Sequence, residues 1–223
     1  MTPVSNPSLD GRRATLRGLA GGLVGGLAGA LATAVPGALL PARAFADETV
    51  ATSTSEALLT AGWTEVKPGE LVPPQRRSIR LVNAHTWEDL DIVYRTRGVL
   101  IDESLHAISH LMRDHRVGKS IPIDPALVDE LYMVHAALGT EEPLHILSGY
   151  RTPQTNARLR KRSIGVAKYS LHMEGKAADI YVPGVKTLAL QQAALALEVG
   201  GVGYYSASGF VHVDTGRVRH WGS

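Results

Sequence analysis

Ser170-Leu171-His172-Met173-Glu174-Gly175-Lys176-Ala177-Ala178-Asp179 places an imidazole and a carboxylate seven residues apart with a glycine between them. On one straight helix that spacing would separate the two groups by about 10 Å along the axis, too far to meet at one ion. A reversal at Gly175, where glycine accepts a left-handed backbone at little cost, removes the difficulty. The segment is therefore expected to turn at Gly175 and continue as a strand through Ala178-Asp179-Ile180-Tyr181-Val182. That is half of a metal site.

The other half lies near the C-terminus. Phe210-Val211-His212-Val213-Asp214 alternates as a strand does, so His212 and Asp214 point to one face while Val211 and Val213 point to the other. His172, Asp179 and His212 then offer two imidazoles and one carboxylate, a set that zinc accepts. Three protein ligands leave a fourth position for water, as catalytic rather than structural sites do.

Outward from these segments the chain reads as α+β. Ser78–Asn83 and Leu90–Tyr94 have strand composition with a turn near 85–88. Leu105, Ile108, Leu111 and Met112 then predict a helix over about 103–115, with Asp102 as its cap and Gly118 as its stop. Asp124-Pro125 is a helix start, and the stripe Leu127, Val128, Leu131, Val134, Leu138 ends at Gly139. Leu144–Ser148 is a short buried strand that runs into Gly149-Tyr150-Arg151-Thr152-Pro153, where a basic helix opens through Asn156, Leu159 and Arg162. An amphipathic helix over 186–199 leads to a hairpin, Gly201–Tyr205 and Phe210–Asp214, joined by Ser206–Gly209. Helices fall early and strands late, which argues against a parallel βαβ array.

The 223 residues include no cysteine and carry a formal charge of +2. Residues 1–46 hold four arginines and one aspartate of the 23 basic and 21 acidic residues, leaving 19 against 20, so the basicity belongs to the leader. Arg12-Arg13, a Gly/Ala/Leu-rich run over about 19–40 and Ala44-Phe45-Ala46 predict a twin-arginine-type signal peptide over 1–46 and export to the periplasm. Residues 47–76, with Pro68, Pro73 and Pro74, are expected as a flexible lead-in, and 77–223 as one domain. The near-neutral domain argues against a nucleic-acid partner, and removal of the leader against stable membrane insertion. Without cysteine there is neither a disulfide nor a lipid-modified cysteine anchor.

Ser148-Gly149-Tyr150-Arg151, Ser170-x-His-x-x-Gly-x-Ala-x-Asp179 and the strand histidine at 212 resemble the zinc peptidases of the D-Ala-D-Ala carboxypeptidase clan, which share a fold with the hedgehog signalling domain. Asn83-x-His85-Thr86, Arg113-Asp114-His115-Arg116, Pro122-Ile123-Asp124-Pro125, Gly200-Gly201-Val202-Gly203-Tyr204-Tyr205 and His212-Val213-Asp214-Thr215-Gly216-Arg217-Val218-Arg219 bring the resemblance closer to the YcbK-like murein endopeptidases, over about residues 77–221. The resemblance implies a small antiparallel sheet with flanking helices. It implies one zinc ion on His172, Asp179 and His212, Arg151 as a cation facing the substrate, and peptidoglycan peptide stems as the substrate. The clan commonly carries an acidic base three positions before the last histidine ligand, and here that position is Gly209.

Asp214, on the face of His212, and Glu174, beside the ligand loop, are the candidates for that base. Asp214 can instead orient a ligand imidazole. With Gly209 at the base position, a non-catalytic, zinc-holding peptidoglycan-binding module is the alternative to an enzyme. His106 and His110 sit four apart on a predicted helix but lack the glutamate that a metalloprotease helix places after the first histidine. The basic run Arg158-Leu159-Arg160-Lys161-Arg162 is accounted for by its place at a helix C-terminus.

Overall fold

The computed structural model describes residues 62–67, 70–72, 74–163 and 165–222, together with Glu56, Leu58 and Leu59. The signal peptide expected over 1–46 lies outside them. In chain order the elements are β1 (Thr64–Lys67), β2 (Glu70–Val72), β3 (Arg77–Asn83), β4 (Asp89–Thr96), β5 (Val99–Leu100), α1 (Asp102–Leu111), α2 (Pro125–Leu138), β6 (Leu144–Ser148) and α3 (Pro153–Arg160). There follow β7 (Ala177–Tyr181), α4 (Thr187–Leu195), β8 (Gly201–Tyr205), β9 (Phe210–Asp214) and β10 (Arg219–Gly222). Short 3-10 turns at Leu171–Glu174 and Ser206–Ser208 precede β7 and β9.

β3 to β10 form one eight-stranded sheet in the order β10-β8-β9-β7-β6-β3-β4-β5. The expected small antiparallel sheet is thus larger and mixed: β6 runs parallel to β3, and β10 parallel to β8. Both exceptions follow from connectivity. Two helices intervene before β6, a crossover long enough to bring the chain back in the same direction. After β9 the chain passes beyond β8 to its outer edge, so it reverses relative to β9 and aligns with β8.

Helix ends obey local chemistry. Asp124 accepts a hydrogen bond from the amide of Ala126 (2.9 Å), Pro125 opens α2, and Gly139 closes it with φ 59°. Thr152 caps α3 by accepting from the Thr155 amide at 3.2 Å. At α1 the expectation fails by one residue: Ile101 occupies the cap position and Asp102 lies inside the first turn, where its charge favours the helix dipole instead. α1 also ends at Leu111, short of 115, because the chain then closes a tight turn in which Asp114 and Lys119 bridge. α4 stops at Leu195 rather than 199, and the backbone turns at Glu198, φ 51°.

Alternation along the strands separates two faces. Ala178, Ile180, Val211, Val213 and Val202 turn to a buried core completed by Leu127, Val128, Leu131 and Val134 of α2, Ile108 of α1 and Leu190 of α4. Each valine, leucine and isoleucine among them contributes about 1.5–3 kcal/mol on burial. The segment expected as a flexible lead-in contains the β1–β2 hairpin, and Leu58 and Trp63 are buried against Ala136 of α2. Those two apolar side chains outweigh the polar composition around them. No helix among the described residues is long and apolar enough to cross a membrane.

Candidate metal centre and cleft

The opposite face of the sheet builds the site through register. Ser148 on β6 pairs with Asp179 on β7, Asp179 with His212 on β9, His212 with Gly203 on β8, and Gly203 with Trp221 on β10. Cross-strand partners share a face, so one row crosses five strands. Gly203 supplies the gap in it. A Cβ there would meet the Trp221 ring at 2.7–2.9 Å, so only glycine lets the indole lie beside His212, ring centroids 5.3 Å apart. Two residues along, a second row joins Ala177, Asp214, Gly201 and Arg219, and Gly201 again leaves the room through which a β10 side chain reaches one on β9.

His172 enters from the 3-10 turn that Gly175 ends with φ 70°. Its Nδ1 bonds the Gly149 carbonyl at 2.7 Å, and its own carbonyl accepts from the Arg151 amide at 3.0 Å. The histidine turn and the loop after β6 are thereby fastened to each other. Asp114 secures that loop from behind, accepting from both the amide and the hydroxyl of Thr152 at 2.9 Å.

Nε2 of His172, Nδ1 of His212 and Oδ1 of Asp179 stand 3.2, 3.2 and 2.8 Å apart. A tetrahedral ion bonded at about 2.0–2.1 Å demands donor separations near 3.3 Å. The protonation pattern fits as well. With Nδ1–H of His172 donated to Gly149 and Nε2–H of His212 donated to Asp214 (3.0 Å), each imidazole presents its remaining lone pair to the other and to a carboxylate oxygen. Three lone pairs then converge with no proton among them, an arrangement that a cation resolves. These three residues could hold a metal ion.

Charge around the centre is balanced. Burial opposes the charge on Asp179, but His172, His212 and Arg151 hold its carboxyl well below the ordinary carboxylate range. Arg151 bonds Oδ2 of Asp179 through Nη2 and the Ser148 hydroxyl through Nε at 2.7 Å. Its Nη1 makes no hydrogen bond among the described residues. Burial lowers the proton affinity of His172. Burial acts the same way on His212, but the carboxylates of Asp179 and Asp214 on its two sides more than offset it, so a second proton competes with a cation for its Nδ1.

Asp214 is wholly buried. Its Oδ1 accepts from the Gly216 amide and Arg219 Nη1, both at 2.9 Å, and its Oδ2 from Arg219 Nη2 at 2.6 Å and His212. No lone pair remains for a water. Burial opposes its charge, yet these bonds hold the carboxyl far below its ordinary value. Glu174 pairs with Lys176 at 2.9 Å, is half exposed and does not line the cleft. Gly209 adopts φ 70°, a conformation that an acidic side chain takes only with strain.

The centre opens into a cleft of about 450 Å³. Ser163, Gly165–Ala167 and Tyr169 form one wall. Tyr205, Phe210 and Trp221 also line the cleft, Tyr205 stacking on Phe210 at 4.5 Å and accepting a hydrogen bond from Trp221 Nε1 at 3.1 Å. Its only carboxylates among the described residues are Asp179 and Asp214. Nothing in the pattern of residues 219–222 marks a strand, so the sequence does not single out Arg219 and Trp221 as site residues; the glycines at 201 and 203 are the available signal. The remaining histidines lie elsewhere: His85 stacks on His115 at 4.0 Å, His145 packs on Tyr181, and His110 is exposed near Glu88.

A family model described as peptidoglycan L,D-endopeptidase MepK matches residues 72–221. The chain is 44% identical over 151 residues to the peptidoglycan L,D-endopeptidase MepK of Escherichia coli (strain K12), covering 68% of this chain and 83% of that protein. It is 38% identical over 149 residues to a Haemophilus influenzae protein named "Probable peptidoglycan L,D-endopeptidase MepK", covering 66% of this chain and 80% of the relative. By the extent of these matches, the chain belongs to the peptidoglycan L,D-endopeptidase MepK family.

Proposed function

We propose that this protein is a zinc-dependent endopeptidase that hydrolyses peptide cross-links of bacterial peptidoglycan. The observation that carries the proposal is the convergence of three lone pairs, from His172, Asp179 and His212, at one point in a cleft. The names of the relatives supply the substrate class. Two imidazoles and a carboxylate suit zinc, which when bound would act as a Lewis acid and lower the pKa of water from about 16 toward about 7.

The chain supplies the rest. Arg151 steadies Asp179 through Nη2 and keeps Nη1 for the substrate, where it would donate to a carbonyl oxygen gaining charge or to a peptide carboxylate. Asp214 fixes the His212 tautomer by accepting from Nε2–H, and Arg219 neutralises it. Orientation therefore suits Asp214 better than proton abstraction, and Glu174 is turned to Lys176.

Replacement of His172, Asp179 or His212 by Ala is expected to remove stoichiometric zinc and the release of new peptide ends from sacculi. Full hydrolysis by the metal-free variants would overturn the proposal. One observation favours a second reading, a non-catalytic wall-binding module: both cleft carboxylates are fully engaged and Gly209 takes the place of an acid. Zinc-loaded protein that binds sacculi yet produces no new peptide ends would establish it. We further propose export to the periplasm by the twin-arginine route, supported by Arg12-Arg13 and the Ala44-Phe45-Ala46 end.

A further inference from the structure

The basic run that closes α3 exceeds what a helix terminus explains. Dipole compensation accounts for Arg158 and Arg160 in the last turn of α3 and for Lys161 at its C-cap, but Arg162 lies beyond the cap and Lys168 stands on the far limb of the following loop. Asn156 of α3 ties the two limbs together, its Nδ2 donating to the Ala167 carbonyl at 3.0 Å. The same loop forms one wall of the cleft through Ser163, Gly165, Val166, Ala167 and Tyr169. All five cations are exposed, Arg158 and Arg160 on the last turn of α3 and Lys161, Arg162 and Lys168 on the limbs of the loop that lines the cleft.

No acidic side chain among the described residues pairs with them. The chain has no Asp or Glu between Glu142 and Glu174. Lys168 lies over the exposed ring of Tyr169, 5.2 Å from its centroid. Desolvation lowers the proton affinity of Arg116, and Arg151 and Arg158 lie near enough for their like charges to add to it, against the opposing pull of Asp114. Beyond residue 46 the chain holds 19 basic and 20 acidic residues, so attraction of an anion rests on this patch and not on net charge.

We propose that Arg158, Arg160, Lys161, Arg162 and Lys168 form a docking lip for the free carboxylates of peptidoglycan stem peptides, holding the insoluble polymer at the cleft while one cross-link enters. The identity of the polymer rests on the function proposed above. Charge complementarity does not. Each stem presents free carboxylates at short repeats, and guanidinium groups take carboxylates by paired hydrogen bonds. Several weak, exposed contacts sum to useful retention while each remains easily broken.

The test is pelleting of the purified protein with intact sacculi, over a time short against hydrolysis, as salt is varied. Wild-type binding is expected to fall steeply between ~50 mM and ~500 mM salt. The variant R158Q/R160Q/K161Q/R162Q should bind about tenfold more weakly at the low salt and match wild type at the high. Amidation of sacculus carboxyls should bring wild type down to the variant, and this arm needs no variant to fold. Unchanged binding to amidated sacculi would overturn the proposal. So would binding lost only when phosphate-bearing polymers are stripped from the sacculi, which assigns the lip to a phosphate ligand. Peptide-end release, followed in the same samples, reports separately on hydrolysis: salt-sensitive binding without cleavage retains the lip and discards the endopeptidase.

Discussion

Asp214 reaches the imidazole of His212 at 3.0 Å on the side away from the metal-facing lone pair, while Arg219 grips both oxygens of the same carboxylate. Under the proposed function the pair acts as an orienting unit. Asp214→Asn is therefore expected to lower zinc affinity about 10–100-fold, measured by competition with a chelator, with a matching loss of activity that added zinc restores in part. Unchanged zinc affinity with kcat down a hundredfold or more would instead return Asp214 to the role of base.

Gly201 gives an independent handle on the same contact. A Cβ there would lie 2.2 Å from Arg219 Nη1 and 2.7 Å from Asp214 Oδ2, so Gly201→Ala pushes the guanidinium off the carboxylate without altering a charge. Arg219→Ala removes it outright. The two substitutions should each cost zinc affinity, and the double variant should cost little more than Arg219→Ala alone, since both break one interaction. Fully additive losses would mean that Gly201 acts through the backbone and not through Arg219.

Much of this centre was legible in the sequence, and the limits have physical causes. Gly175 marked the turn, and strand alternation put His212 and Asp214 on one face. Periodicity, however, states which side a residue faces and not which strand lies beside it. The Asp179–His212 register, which creates the site, is a long-range pairing. Arg219 and Trp221 were harder still, since β10 is four residues long, carries no alternation of apolar side chains and owes its place to the room that Gly201 and Gly203 leave on β8. The dual possibility for Asp214 was a question of hydrogen-bond partners, and those partners come from a strand that composition does not reveal. α1 ended early for a comparable reason, a turn held by Asp114 and Lys119.

The export proposed for residues 1–46 carries its own prediction. Arg12→Lys with Arg13→Lys should leave the full-length precursor inside the cell, because the twin-arginine pathway reads the paired guanidiniums and an ammonium does not reproduce them. Fractionation with antibody detection measures it. Normal export of the double variant would assign the leader to another route.

Glu130 of α2 links the site to stability. It is 2% exposed, its Oε2 has no hydrogen-bond partner among the described residues, and burial followed by the charge of Asp214 raises its pKa from 4.5 to about 7, against a smaller opposing effect of His212. Between those two values the folded protein binds more protons at this residue than the unfolded chain, so stability falls as pH rises. The contribution, roughly 3 kcal/mol by the usual conversion, is complete below the unfolded value and gone above about 7. Glu130→Gln keeps the shape and removes the titration. Denaturant unfolding should therefore show the two proteins nearly equal at pH 5, with the variant more stable by a few kcal/mol at pH 8. Parallel stability curves across that range would show that Glu130 finds a partner for its charge when ionised.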